Sequence, residues 1–267
     1  MRTKLTGLLA AAALAAAFTM AGSIPAAAAA SYTCSGGSFA SPSVIPAGTY
    51  SSIDVTGFCS PGAGTVIVRH GLTVAPGAGF ASQGASSTVT IGGGVDVETG
   101  GMLALGCGPS FDTPCPEGPT AVSTDSIGGN VRADGAALLI VHYDTIGGNV
   151  RVRGGGGGLT CANLPGLPTP PYLDFANNSI GGNAAVTGIS TCWAGFSNNT
   201  LGGNVEYTNN QTGLPDGNFV GGNTIARNLR CAGDSPTPHL SDAGGGVPVV
   251  PNSVLGHTSG QCVGEII

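Results

Sequence analysis

One short motif returns along this chain at nearly constant phase, and a repeat of that kind dictates a stack of similar structural units. It reads IGGNVRA from Ile127, IGGNVRV from Ile146, IGGNAAV from Ile180, LGGNVEY from Leu201 and VGGNTIA from Val220. Two looser copies precede these, VRHGLTV from Val68 and IGGGVDV from Ile91. Four of the steps between successive starts lie near 20 residues, and two are lengthened to 36 and 34. The lengthened steps contain GCGPSFDTPCPEGP around Cys107 and Cys115, and GGGGGLTCANLPGLPTPP after Arg153. Glycine and proline oppose regular structure there, so loops are expected near residues 106–120 and 154–171.

Within each copy the residue before the glycines is aliphatic, and the fifth and seventh positions are small or apolar, as in Val131 and Ala133 or Val150 and Val152. A strand alternates its faces with period two, so these positions point inward and the sixth and eighth outward. Helical periodicity is lacking beyond the first 30 residues. The expected fold is therefore all-β: a single-stranded parallel β-helix, or β-solenoid, of the right-handed form, with about seven to eight coils. Ile91, Ile127, Ile146, Ile180, Leu201 and Val220 are expected in one buried column. Two polar columns fall out of the same register. Asp125, Asp144, Asn178, Asn199 and Asn218 precede the aliphatic residue, and Asn130, Asn149, Asn183, Asn204 and Asn223 follow the glycines. Stacked amides of this kind satisfy one another along the axis.

Arg2 and Lys4, an apolar run from Leu5 to Met20 and a small-residue stretch ending at Ala30 have the form of a secretory signal peptide over residues 1–30. The remainder, 31–267, is read as one solenoid domain with a loop-rich cap from about 231. No second apolar segment follows, so integral membrane association is not expected, and the localisation read from the sequence is secreted and extracellular. Eight cysteines lie beyond the signal, an even number that in an exported chain implies disulfides. Eight cysteines allow 105 pairings. Neighbourhood favours Cys34 with Cys59, Cys107 with Cys115, Cys161 with Cys192 and Cys231 with Cys262. No Cys-x-x-Cys or Cys/His cluster offers zinc ligands, so no metal and no cofactor is expected. Past residue 30 the chain has six basic and fourteen acidic residues, a charge of −8, which disfavours nucleic acid as a partner. Lys4 is the only lysine, which excludes P-loop and Schiff-base chemistry from the mature chain.

The tandem IGGN motifs, the phrase LLIVHYDTIGGN, the GGGGG run with its following cysteine and the Cys192–Trp193 pair resemble a family of secreted actinobacterial β-solenoid proteins without assigned function. The resemblance covers nearly the whole mature chain and implies a solenoid and an exported location. It brings no catalytic residue.

Several constellations bear on chemistry. Outward columns on the strand after each corner read Asp96, Arg132, Arg151, Ala185, Glu206 and Glu98, Asp134, Arg153, Thr187, Thr208. They form either a solvated ion-pair ladder or a subsite for an acidic polysaccharide. Arg132, Arg151, Arg153 and Asp134 are the candidate ligand-binding residues, and extracellular or cell-wall polysaccharide is the candidate partner. Asp125, Asp144 and Asp174 offer paired carboxylates of the kind glycoside hydrolysis needs, although the Asp/Asn column favours a structural role. His142, in the apolar strand ALLIVHYD, reads as a hydrogen-bonded, partly buried histidine before a general base. Trp193 reads as core packing before a sugar platform. RTX-type calcium sites need G-G-x-G-x-D, which is not present in the repeats. The expected function is thus a disulfide-stabilised extracellular solenoid with a structural, adhesive or carbohydrate-binding role and no assigned catalytic site. The alternative is a polysaccharide-active enzyme, a pectin-lyase-like lyase or glycoside hydrolase, working on an outward strand face.

Overall fold

The computed structural model describes residues 29–109, 115–167, 169–240 and 250–264. Residues 1–28, on which most of the expected signal peptide falls, parts of the first insertion and cap, one residue of the second insertion and the last three residues lie outside this range. All described regular structure is β, arranged as three long sheets of ten, eight and nine strands in which every ladder is parallel. The chain visits the sheets in turn, as a β-solenoid must. One coil runs through Val131–Asp134 on a first face, Leu138–His142 on a second and Thr145–Ile146 on a third, and Val150–Arg153 then resumes the first face one coil further on. The stack starts well before the first clear motif. Tyr32–Cys34, Ile53–Val55 and Leu72–Val74 already lie on the first face, carried by alternation alone.

The third face supplies the apolar column. Tyr50, Val68, Ile91, Ile127, Ile146, Ile180 and Leu201 are consecutive cross-strand partners. The next partner is Ile225 and not Val220. Val220 lies on the second face, paired with Phe196. The sequence VGGN from Val220 mimics the motif five residues out of phase, and the true copy is Thr224-Ile225-Ala226-Arg227-Asn228, in which two non-glycine residues occupy the corner. Asn218 and Asn223 move accordingly. Asn223 belongs to the column of Asp125, Asp144, Asn178 and Asn199, which Asn252 extends, and Asn218 instead accepts the Tyr207 hydroxyl at 2.9 Å. The column after the glycines ends with Asn228, whose Oδ1 accepts the His257 amide.

The corners explain the glycines. At Gly148 a Cβ would come within 2.6 Å of the Gly129 carbonyl oxygen in the coil below, so glycine is required by close stacking rather than by an unusual φ. Left-handed backbone occurs at the other two corners, at Gly135 (φ 76°) after the first face and at Tyr143 (φ 59°) after the second. A tyrosine there costs on the order of 1 kcal/mol. Its ring lies against Gly108 of the first insertion, where a Cβ would meet it at 2.3 Å. Amide ladders run beside two corners. Asn149, Asn183, Asn204 and Asn228 each donate a backbone N–H and a side-chain N–H to the Oδ1 of the preceding asparagine, at 2.8–3.2 Å. A third ladder, Asn210–Asp234–Gln261, joins the last coils between the first and second faces.

Four disulfides join Cys34 to Cys59, Cys107 to Cys115, Cys161 to Cys192 and Cys231 to Cys262, so both ends of the stack and both insertions are stapled. Each staple should contribute on the order of 2–4 kcal/mol. The glycine run is less of a free loop than its composition suggests. Gly154, Gly156 and Gly158 donate to carbonyls of Thr187, Ala136 and Ser190, stitching the run between two coils, and all five glycines have positive φ.

Candidate functional site

The outward side of the first face gathers the largest aligned set of charged side chains among the described residues. Alternation directs Val131 and Ala133 into the core and leaves Arg132 and Asp134 outside. Parallel register then aligns Asp54, Thr73, Asp96, Arg132, Arg151, Ala185, Glu206 and Arg230 in one column. Beside it run Asp134, Arg153, Thr187 and Thr208. Thr208, the last of these, is buried. Arg132 turns back on its own strand, donating from Nε to Asp134 Oδ2 at 2.7 Å and from Nη2 to the same oxygen. The hydrogen bond to Asp134, and then the charge of that carboxylate, hold the pKa of this guanidinium above its ordinary value. Arg230 pairs with Glu206 at 2.8 Å. Arg151 stands directly between Arg132 and Ala185, and its Nε has no hydrogen-bond partner among the described residues. Arg153 faces solvent next to Thr187.

A concavity of about 520 Å³ opens on this side, lined by Thr73, Asp96, Glu98, Thr99, Arg132 and Asp134 among others. The structure therefore brings Arg132 and Asp134 into one depression, with Arg151 and Arg153 on the coil above it.

The second face is different on its outer side. Leu138, Ile140 and His142 point away from the core and yet are buried, as is Asp174, which pairs in register with Ile140. His142 Nε2 lies 2.6 Å from Asp174 Oδ2, with side-chain exposures of 0% and 2%. The ring of Trp193 stacks on Tyr172 with centroids 5.0 Å apart. Gly195 leaves room for both Trp193 and Asp174, since a Cβ there would lie 2.2 Å from the indole Cη2 and 2.6 Å from Asp174 Oδ1. The histidine and carboxylate are thus sealed from solvent. Toward the N-terminal coils the same side opens into an apolar groove of about 340 Å³, lined by Phe39, Phe58, Met102, Leu138 and Leu167 among others.

Asp125 and Asp144 do not flank a cleft. Both are buried, and Asp144 Oδ1 accepts the Asp125 amide at 2.6 Å. Asp174 is on another face altogether. Among the described residues, no three His, Cys, Asp or Glu side chains are grouped to hold a metal ion, and no helix is long and apolar enough to cross a membrane. The pairing of His142 with Asp174 escaped the sequence reading because Asp174 lies 32 residues away, beyond the glycine-rich insertion. Counted back from the motif the register is nonetheless readable, since Ile140 and Asp174 each lie six residues before Ile146 and Ile180, and what the repeat does not reveal is that this outer side is buried.

Comparison with protein families, with curated proteins and with solved structures finds no match to this chain. The four disulfides fit an extracellular, disulfide-stabilised protein.

Proposed function

We propose that this chain is a secreted structural solenoid that binds polysaccharide, with the outward side of the first face as its ligand surface and Arg132, Arg151, Arg153 and Asp134 as the contact residues. The observation that carries the reading is the direct cross-strand pairing of Arg132 with Arg151. Like charges placed opposite one another in a sheet are unfavourable. Here one arginine is held by Asp134, while the other is in no ion pair among the described residues. An acidic sugar chain lying along the axis would relieve that repulsion, and its hydroxyls would meet Thr73, Thr99 and the carboxylates of the adjoining concavity. In a mature chain of charge −8, the arginine step is where an anionic ligand is drawn in rather than repelled. The resemblance to secreted actinobacterial solenoids points the same way as to location.

The test is to replace Arg132 and Arg151 together with Gln and to titrate acidic polysaccharides at low salt, where screening is least. Affinity should fall at least ten-fold against the unsubstituted protein. Equal binding by both proteins, or none by either, overturns this assignment of the surface.

A further inference from the structure

We propose that Asp125 and Asp144 form a proton-dependent clamp on the neck of the first insertion, closed when both carboxyls carry a proton and loosened when they ionise. The inference is independent of any ligand on the first face. The insertion leaves the stack after Gly106 and rejoins it at Asp125, and its neck is closed by mutual backbone hydrogen bonds between Cys107 and Ser123.

The two aspartates are the lower rungs of a buried side-chain ladder. Its upper rungs are Asn178, Asn199, Asn223 and Asn252, and each does two things. Its Oδ1 accepts the backbone N–H of the preceding rung at 2.9–3.0 Å. Its Nδ2 donates to a carbonyl of the second face in the coil below, at Val141, Phe175, Phe196 and Val220 respectively, at 2.7–2.8 Å. Asp144 and Asp125 reproduce the first half, accepting the amides of Asp125 and Val89 at 2.6 and 2.8 Å. The second half fails if they are ionised. Their Oδ2 atoms, which replace the donating Nδ2, are buried without a hydrogen-bond partner of good geometry among the described residues. In the same register the carbonyls they face are those of Leu105 and Ser82. A carboxylate cannot donate to a carbonyl, whereas a carboxylic acid has one O–H donor and can replace the amide.

The surroundings favour the neutral form. Asp125 and Asp144 face each other, Tyr143 adjoins Asp144, and His142 turns its ring to Asp174 on the outer side of the second face. Among the described residues, neither carboxyl is in an ion pair with an arginine. Burial pushes Asp125 up to about 6 against the opposing pull of the Ser82 hydroxyl and the Val89 and Gly106 amides, and burial together with the charge of Asp125 pushes Asp144 well above the usual carboxylate range against the pull of the Asp125 amide. Because the folded values exceed the unfolded ones, the folded chain binds the extra protons. The clamp's contribution is then full below about pH 4 and is lost as the pH rises through about 6 and above.

The experiment compares the intact protein with the double variant Asp125→Asn, Asp144→Asn, which completes the ladder with the residue its upper rungs already use. Hydrogen exchange, corrected for intrinsic pH dependence, is followed at the neck and at the Asn178–Asn199 rungs between pH 5 and pH 8. Protection at the neck should fall at least ten-fold more than at the upper rungs, and the variant should abolish that difference. Its melting temperature at pH 8 should also exceed that of the unsubstituted protein by several degrees. A neck whose protection does not depend on pH, or a variant that keeps the dependence, overturns the proposal.

Discussion

The first and second faces of the solenoid share one inner side and differ in everything outside it. Inward, both alternate into the same core, with Val131 and Ala133 on one and Leu139 and Val141 on the other. Outward, the first face shows Asp96, Arg132, Arg151 and Glu206, whereas the second shows Ala104, Leu138 and Ile140, packed with Met102, Leu164 and Tyr172 in a small core of their own. The coil repeat dictates the inner side because every strand must deliver an apolar residue there. The outer side depends on what lies over it. The two insertions depart at the corners flanking the second face, and their residues cover it. A strand apolar on both sides, such as Leu138–His142, therefore marks a sheet buried on both sides.

The sharpest test of this contrast is a pair of truncations. His142→Ala should cost on the order of 3–5 kcal/mol, since it strands a buried carboxylate whose Oδ1 already has no partner. Asp134→Ala, which breaks the exposed Arg132 pair on the first face, should cost less than about 1 kcal/mol. Denaturant unfolding of both variants checks the difference, and similar losses would mean that the second face is not sealed. Next in size is Gly195→Ala, which forces the Trp193 ring off its seat and should cost about 1–3 kcal/mol. Its first-face counterpart in the same coil, Ala185→Ser, should stay within about 0.5 kcal/mol. Thermal melts of the two, with tryptophan fluorescence as the probe, distinguish a local shift of the ring from general destabilisation.

The inner side was legible in the sequence and the outer side only in part. Ile91, Ile127, Ile146, Ile180 and Leu201 announce their column through one motif at one phase, and the register confirms it. Val220 misled because aliphatic-Gly-Gly-Asn arises by chance in a glycine-rich chain, while the true copy at Ile225 had lost both glycines. The signal that separates them is the polar residue two places earlier followed by Thr or Ser, as in Asn199-Thr200-Leu201 and Asn223-Thr224-Ile225. On the first face, the pairing of Asp96 with Arg132 and of Arg132 with Arg151 follows from the phase of the motif, even across the lengthened step between the first two. The burial of His142 and Asp174 does not, because it depends on the path of loops that lack the repeat.

A smaller effect belongs to the corner between these two faces. Asp234 accepts the Asn210 amide through Oδ1, while its Oδ2 is buried without a partner. Desolvation pushes its carboxyl up to about 6 against the pull of the Asn210 hydrogen bonds. The folded value is above the unfolded one, so stability from this group is full below about pH 4 and declines as the pH rises through about 6. Asp234→Asn should therefore raise stability at pH 8 by about 1 kcal/mol, the shift being discounted for screening by nearby solvent, and leave it nearly unchanged at pH 4, as read from melting curves at the two values. Gain at both pH values would show that packing, not protonation, limits this corner.

The least effect is expected where the first face looks most ordered. Glu206 and Arg230 are cross-strand neighbours joined at 2.8 Å, yet both are about half exposed. Water and salt screen such a pair, and holding two long side chains in one geometry offsets much of the attraction. A double-mutant cycle with Glu206→Ala and Arg230→Ala should give a coupling of less than about 0.5 kcal/mol, vanishing toward 1 M salt, where the screening length is about 3 Å. The size of this coupling decides how the arginine step can work. If exposed pairs on this face are weak, Arg132 can exchange Asp134 for a ligand carboxylate at little cost, and the surface is available for binding. A coupling above about 1 kcal/mol that survives salt would show that the charges are committed to one another, and the first face would then be as closed to ligands as the second.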